Sequence, residues 1–274
     1  MKALTIALLC LVTLVGVVGR AQAEAPEAEY RAALTALAKG ADNEAIDRLE
    51  LLADQGVSHP DASLARAAAY LARAEGPSPR PGDLGRAAAA LSEVLLLRPA
   101  DPQAERALEA VQSEIARRHS RQAESVLVRP RLGRAIAALV SEQTWALLAA
   151  LGSLVTAAGL VARRLAVHPL PRLAGAVAIG VGATALAAFG AGAYAAMRFR
   201  TTSQPAVIVV PEARLSDERG RPLPSKRGAD TTTVPEGATV YVTERRQATG
   251  RCQVEWGSTD GWLSSSELRV LVGP

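Results

Sequence analysis

The sequence predicts a multidomain membrane protein of three parts: an all-α helical repeat, two transmembrane helices and a small all-β barrel. Three observations predict it. Apolar residues make up 49% of the 274-residue chain, but they concentrate in three uncharged runs, one at the N-terminus and two between Gln143 and Met197. Between these regions the apolar residues recur at helical spacing, and beyond Arg200 the period drops to two, as in half-buried strands. This distribution excludes an ordinary cytosolic globular enzyme. It predicts two modest polar domains, separate from each other, flanking lipid-facing spans.

Residues 1–23 read as a signal peptide. Lys2 supplies the positive n-region, Ala3 to Gly19 the apolar h-region, and Ala21-Gln22-Ala23 the cleavage site. The rival reading is an uncleaved anchor helix. Cys10 lies inside the h-region after Leu8 and Leu9, a setting that does not suit a lipoprotein box. Cleavage leaves Cys252 as the single cysteine, with no internal disulfide.

The segment 24–128 is expected to be helical. Its apolar sets are Tyr30, Ala33, Leu34 and Leu37; then Ala45, Ile46, Leu49 and Leu52; then Leu64, Ala67, Ala68 and Leu71; then Ala87, Ala88, Leu91 and Val94. Gly40 and Gly56 stand where helix C-caps belong, and Asp42 is expected to cap the second helix. Leu37 and Leu71 are 34 residues apart, the tetratricopeptide (TPR) period. Ala67 and Tyr70 match that repeat's small and aromatic positions, and Ala87, Leu91, Val94 and Pro99 match its second helix. The segment therefore resembles a TPR array, with Ala36 where the first repeat's aromatic would stand. A plain alanine-rich stack of helical hairpins is the alternative. In both cases the helices must stack to bury their faces.

After a juxtamembrane linker (129–142), Gln143–Ala162 and Leu173–Met197 are uncharged runs of 20 and 25 residues, each long enough to cross a bilayer. Trp145 suits an interfacial position. Gly175, Gly180, Gly182, Gly190 and Gly192 predict close packing of the second span on the first. The ten-residue link Arg163–Arg172 carries three arginines and is expected in the cytoplasm. With an exported N-terminal domain, this returns the C-terminus to the outside. Arg129, Arg131 and Arg134 oppose that orientation mildly.

Charge follows the same partition. Segment 24–142 holds 15 basic and 18 acidic residues, and segment 203–274 holds nine of each. The net charge of +4 therefore reflects the membrane flanks, and a nucleic-acid partner is not expected.

After a linker (198–205), residues 206–274 alternate. Val240 and Val242 flank Tyr241, and Cys252, Val254 and Trp256 share one face. Turn signals fall at Asp217–Pro224, Pro235-Glu236-Gly237, Thr249-Gly250 and Asp260-Gly261. A compact barrel is expected. The stretches Ala206–Val210, Val234–Val240 and Asp260-Gly261-Trp262-Leu263, with Glu267-Leu268 following, resemble a bacterial SH3 domain, whose frequent Trp is replaced here by Cys252. Cys252 and Trp256 are expected in the core. Tyr241 is expected to face outward, and Trp262 to lie at the rim. These two are the candidate partner-binding residues, since an aromatic with a polar handle suits a hot spot.

The order of parts, with Ser141–Leu148 opening the first span, is similar to the BatE-type proteins of aerotolerance (Bat) operons. That resemblance implies work beside membrane-anchored von Willebrand A-type proteins and a MoxR-type ATPase. No HExxH, CxxC, nucleophile elbow or phosphate loop occurs, so neither catalysis nor a cofactor or metal is expected. Three readings follow. The leading one is an inner-membrane scaffold with both polar domains in the periplasm. The second is a peptidoglycan sensor or tether acting through the SH3-like domain. The third is a small transport or assembly subunit, which the absence of charge within either span disfavours.

Overall fold

The computed structural model describes residues 26–119, 132–137, 139–224 and 231–271. The expected signal peptide, Arg129 and Arg131 lie outside the described residues. The described residues open with five helices: α1 (26–38), α2 (Asp42–Asp54), α3 (Pro60–Glu75), α4 (Asp83–Leu97) and α5 (Pro102–His119). Their boundaries follow local chemistry. Gly40 and Gly56 take left-handed φ values of 71° and 79°. This lets Ala41 N–H reach the Ala36 carbonyl (2.9 Å) and Val57 N–H reach that of Leu52 (3.0 Å), closing the ends of α1 and α2. Asp42 does not cap α2 as expected. Ala41 holds that position, and Asp42 is the first helical residue, where its charge favours the helix dipole. His59 caps α3 instead, its Nδ1 accepting from Asp61 N–H at 3.2 Å, with Pro60 in the first turn.

The apolar faces meet in two cores. Ala33, Ala36, Ala45, Ile46, Leu49, Leu52, Ala69 and Tyr70 join α1, α2 and α3. Ala67, Leu84, Ala88, Leu91, Val94, Ala104, Val111 and Ile115 join α3, α4 and α5. Leu49 and Leu91 are both buried, as their spacing predicts, but in different cores.

A short helix α6 (Leu132–Ala137) leads to two long ones, α7 (Glu142–Leu165) and α8 (Pro169–Thr202). Both are long and apolar enough to cross a membrane, and only 11% of each apolar window is buried, unlike a soluble core helix. The helices run past the apolar stretches. Arg163 and Arg164 lie in the last turn of α7, Arg172 in α8, and the turn itself is only Ala166–His168. Residues 198–202, read from sequence as linker, continue α8. Glycine lets the pair approach: a Cβ on Gly159 would stand 2.8 Å from the Gly175 carbonyl, and one on Gly192 would stand 2.6 Å from the Trp145 ring. Gly180 and Gly190 face away from this contact. At the other end of the hairpin, Arg200 Nε meets Glu142 Oε2 at 3.2 Å, so the chain leaves and returns at one level.

The C-terminal region is a five-stranded antiparallel sheet, ordered β6-β5-β4-β1-β7, and a two-stranded hairpin, β2-β3. The strands are β1 (Gln204–Ile208), β2 (Glu212–Arg214), β3 (Thr233–Pro235), β4 (Thr239–Arg246), β5 (Arg251–Trp256), β6 (Thr259–Ser264) and β7 (Leu268–Val270). The sheet does not close into the expected barrel: among the described residues β6 and β7 are its outer strands, and β6 is bridged to the chain after β2 through Ser216 and Trp262. The hairpin covers one face, burying Ala213, Leu215 and Val234 against Ile208, Val240, Val254, Cys252, Trp256 and Leu263. One turn is misplaced by the sequence. Asp260-Gly261 lies within β6, paired with Glu255 and Val254, and the β5-β6 turn is Gly257-Ser258. A Cβ on Gly261 would meet Leu215 at 3.0 Å, so this glycine serves close packing rather than a turn.

The two polar regions pack against each other and share a core. Val207, Val209 and Leu271 belong to the same core as α3, α4 and α5. Helix α4 lies so close to β1 that a Cβ on Gly85 would come within 2.6 Å of the Ile208 carbonyl. Glu236 Oε1 accepts from Gly85 N–H at 2.7 Å, so the sheet satisfies an open donor at the start of α4. Alternation along β1 explains the arrangement: Ala206 and Ile208 enter the sheet core, and Val207 turns to the helices.

Candidate functional site

Strand register places both expected binding aromatics on one face of the sheet, opposite Val240 and Val242. Tyr241 pairs with Glu255, and Trp262 with Gln253, two residues earlier in β5. They do not form one exposed patch, because each ring is overlaid by the chain's own arginines. Arg134 of α6 stacks on Tyr241 at 3.6 Å and on Phe199 of α8 at 4.8 Å. Its Nη2 donates to Glu255 Oε2 (3.1 Å) and Ser203 Oγ (3.2 Å). Trp262 is buried, with Arg246 4.4 Å and Arg251 5.9 Å from its ring centroid. Arg251 is fixed in turn by Ser216 Oγ and the Asp217 carbonyl. Arg134 thus ties α6, α8 and the sheet together at the membrane end, a role the sequence did not suggest for it.

A second feature lies where the helices meet the sheet. A cleft of about 240 Å³ is lined by Glu50 of α2, Arg66 and Tyr70 of α3, Arg86 of α4, and Ser265 and Arg269 before and within β7. Its polar groups are ordered by a network. Tyr70 Oη donates to Glu50 Oε1 at 2.9 Å, and Arg269 Nη1 meets Glu50 Oε2 at 3.1 Å. Arg66 is buried; Nη2 binds Glu93 Oε2, which also accepts from Ser63 Oγ at 3.2 Å. Burial, reinforced by the Glu50 carboxylate, pushes the Tyr70 phenol well above its ordinary pKa, so it remains a donor. Deeper, Arg73 forks onto both Asp83 oxygens at 2.5 and 3.1 Å. Only Tyr70 of this set was singled out from sequence, and then as a packing residue. The available signal was the polar stripe Ser63, Arg66, Tyr70, Arg73, spaced three, four and three within an otherwise alanine-rich face.

A wider groove of about 610 Å³ adjoins the cleft and shares Ser265, Leu268 and Arg269 with it. It follows β7 and is bounded by Asp54, Gln204 and Arg245. Cys252 lines its floor, buried as expected, and desolvation raises its thiol pKa. Among the described residues no group of three His, Cys, Asp or Glu side chains is placed to hold a metal. No protein-family model matches the chain, and neither a curated protein nor a solved structure is significantly similar to it.

Proposed function

We propose that the protein is a non-catalytic scaffold of a bacterial inner membrane, presenting TPR-like helices and an SH3-like sheet on the periplasmic side as part of a Bat-type complex. One observation carries this reading. The α7–α8 hairpin returns the chain to the level it left, and there the helices and the sheet share a core that includes Val207, Val209 and Leu271. A core shared in this way belongs on one side of a bilayer, since irregular connections do not run through lipid. Arg163, Arg164 and Arg172 mark the opposite end of the hairpin, and short basic turns are retained in the cytoplasm. The body then faces outward, where the clefts between helices and sheet are open to membrane-anchored partners such as von Willebrand A-type proteins. The MoxR-type ATPase would act from the cytoplasmic side.

Affinity purification of the full chain from detergent-solubilised membranes, with mass spectrometry, tests the partners. Recovery of membrane-anchored von Willebrand A-type proteins is expected; retention of the chain on purified cell wall without them would refute the scaffold. Reporter fusions active only outside the cytoplasm should work near residue 270 and fail at His168. Activity at His168 would overturn the orientation.

A further inference from the structure

We infer that the groove along β7, together with the arginine-lined cleft beside it, is a docking site for an extended, acidic peptide segment of a partner protein. The inference rests on the scaffold reading for its partner and adds where and by what chemistry that partner is held.

The backbone supplies the first part. Among the described residues strand β7 is an edge of the sheet and pairs with β1 alone. Leu271 N–H donates to the Pro205 carbonyl (2.9 Å), the Glu267 carbonyl accepts from Val209 N–H (3.0 Å), and Arg269 stands opposite Val207. The odd-numbered residues therefore bond towards β1. By alternation, the N–H and C=O groups of Leu268 and Val270 point away from it, into the groove. An extended chain laid there continues the sheet, with main-chain bonds giving affinity and side chains giving selectivity.

The side chains supply the second part. Arg66 is matched by Glu93, and Arg269 by Glu50 and Asp54. Arg86 and Arg245 are not matched in this way. Among the described residues the nearest carboxylate oxygen to Arg86 is Asp83 Oδ1 at 3.9 Å, already held by Arg73 at 2.5 Å. Arg245 donates to a neutral amide, Gln204 Oε1, at 3.0 Å. These cations stand in the two joined halves of the site, Arg86 in the cleft and Arg245 in the groove, with Arg269 at their junction. Guanidinium groups so spaced along an open strand edge favour carboxylates on an extended chain. Glu50 illustrates the chemistry within the protein itself, its carboxylate gripped by Tyr70 and Arg269.

The test uses the purified full chain in nonionic detergent and a fluorescein-labelled peptide alternating valine and glutamate. Its glutamine and lysine counterparts are controls. Fluorescence anisotropy should detect binding of the glutamate peptide alone. The double variant Arg86→Gln/Arg245→Gln should weaken it by about tenfold or more. Val270→Pro removes one outward N–H at an edge that tolerates proline, and should weaken it similarly. Should Val270→Pro fail to fold, the arginine variant, altering two side chains outside the core, still decides. No binding to the wild-type chain at about 1 mM peptide, equal binding of the lysine peptide, or unchanged affinity in the arginine variant overturns the site. The scaffold reading is judged separately. If the double variant still recovers the same membrane partners from detergent extracts, the scaffold stands and this docking site falls.

Discussion

Replacing Gly85 by alanine tests whether helices and sheet form one body, because the two possibilities predict opposite signs. In an undocked helix the change would stabilise by up to about 1 kcal/mol through backbone propensity. In the structure the added Cβ meets the Ile208 carbonyl at 2.6 Å, Glu236 Cγ at 2.9 Å and Val209 Cα at 3.0 Å. A carbon–oxygen contact rests at roughly 3.3 Å, so the sheet must retreat by about 0.7 Å. It is poorly placed to do so, since the Ile208 carbonyl also accepts from Gly237 N–H at 2.9 Å. Overpacking of this kind costs about 1–3 kcal/mol, with up to about 1 kcal/mol more if the Gly85–Glu236 hydrogen bond opens. Set against the helix gain of up to about 1 kcal/mol, the overpacking leaves a net cost of up to about 3 kcal/mol, which at about 2–4 °C per kcal/mol for a body of this size lowers the melting midpoint by up to roughly 12 °C. Circular dichroism of the full chain in detergent reads this directly. A midpoint raised above that of the wild type would refute the docking of α4 on β1.

Three further outcomes are expected. Leu91→Ala empties a fully buried position between α3, α4 and α5 and should destabilise by about 2–5 kcal/mol in thermal or urea melts; a wild-type midpoint would mean that face is misassigned. Arg134→Met takes one partner from the buried Glu255 carboxylate and should cost about 1.5–3 kcal/mol, with Arg134→Met/Glu255→Gln recovering much of it; equal stability of the single and double variants would deny the pair its structural role. Cys252, buried and with its thiol pKa raised by desolvation, should resist Ellman's reagent at pH 8 until the chain is denatured, and prompt labelling of the native protein would contradict its place beneath the groove.

The candidate site was legible only in part. Alternation, which depends on chain-local geometry alone, puts Tyr241 on the outer sheet face, whereas Trp262 is expected at the rim from the glycine before it. That arginines would overlie both rings was not legible, because Arg134 is more than one hundred residues from Tyr241 and no local rule links them. The clefts were invisible for the same reason, since their walls come from α2, α3, α4 and the sheet. Two clues did stand in the sequence. The polar stripe along α3 breaks an apolar face where a buried network sits. The run Ala206–Val210 is continuously apolar rather than alternating, the pattern of a strand covered on both sides. Its second cover is the helical region.

The sequence by itself determined the order of parts, the helix spacings and glycine ends of α1 and α2, the two long apolar helices, and the inward faces of β4 and β5. Each of these depends on neighbours within a turn of helix or a few residues of strand, so periodicity and capping chemistry suffice. Tertiary structure alone decided that the two polar regions share one core, that β6 and β7 are the sheet's outer strands, and that Asp260-Gly261 extends a strand instead of turning it. Those outcomes depend on which distant surfaces exclude water together, as Val207 and Val209 do against α4, and no local pattern encodes the partner of a buried face.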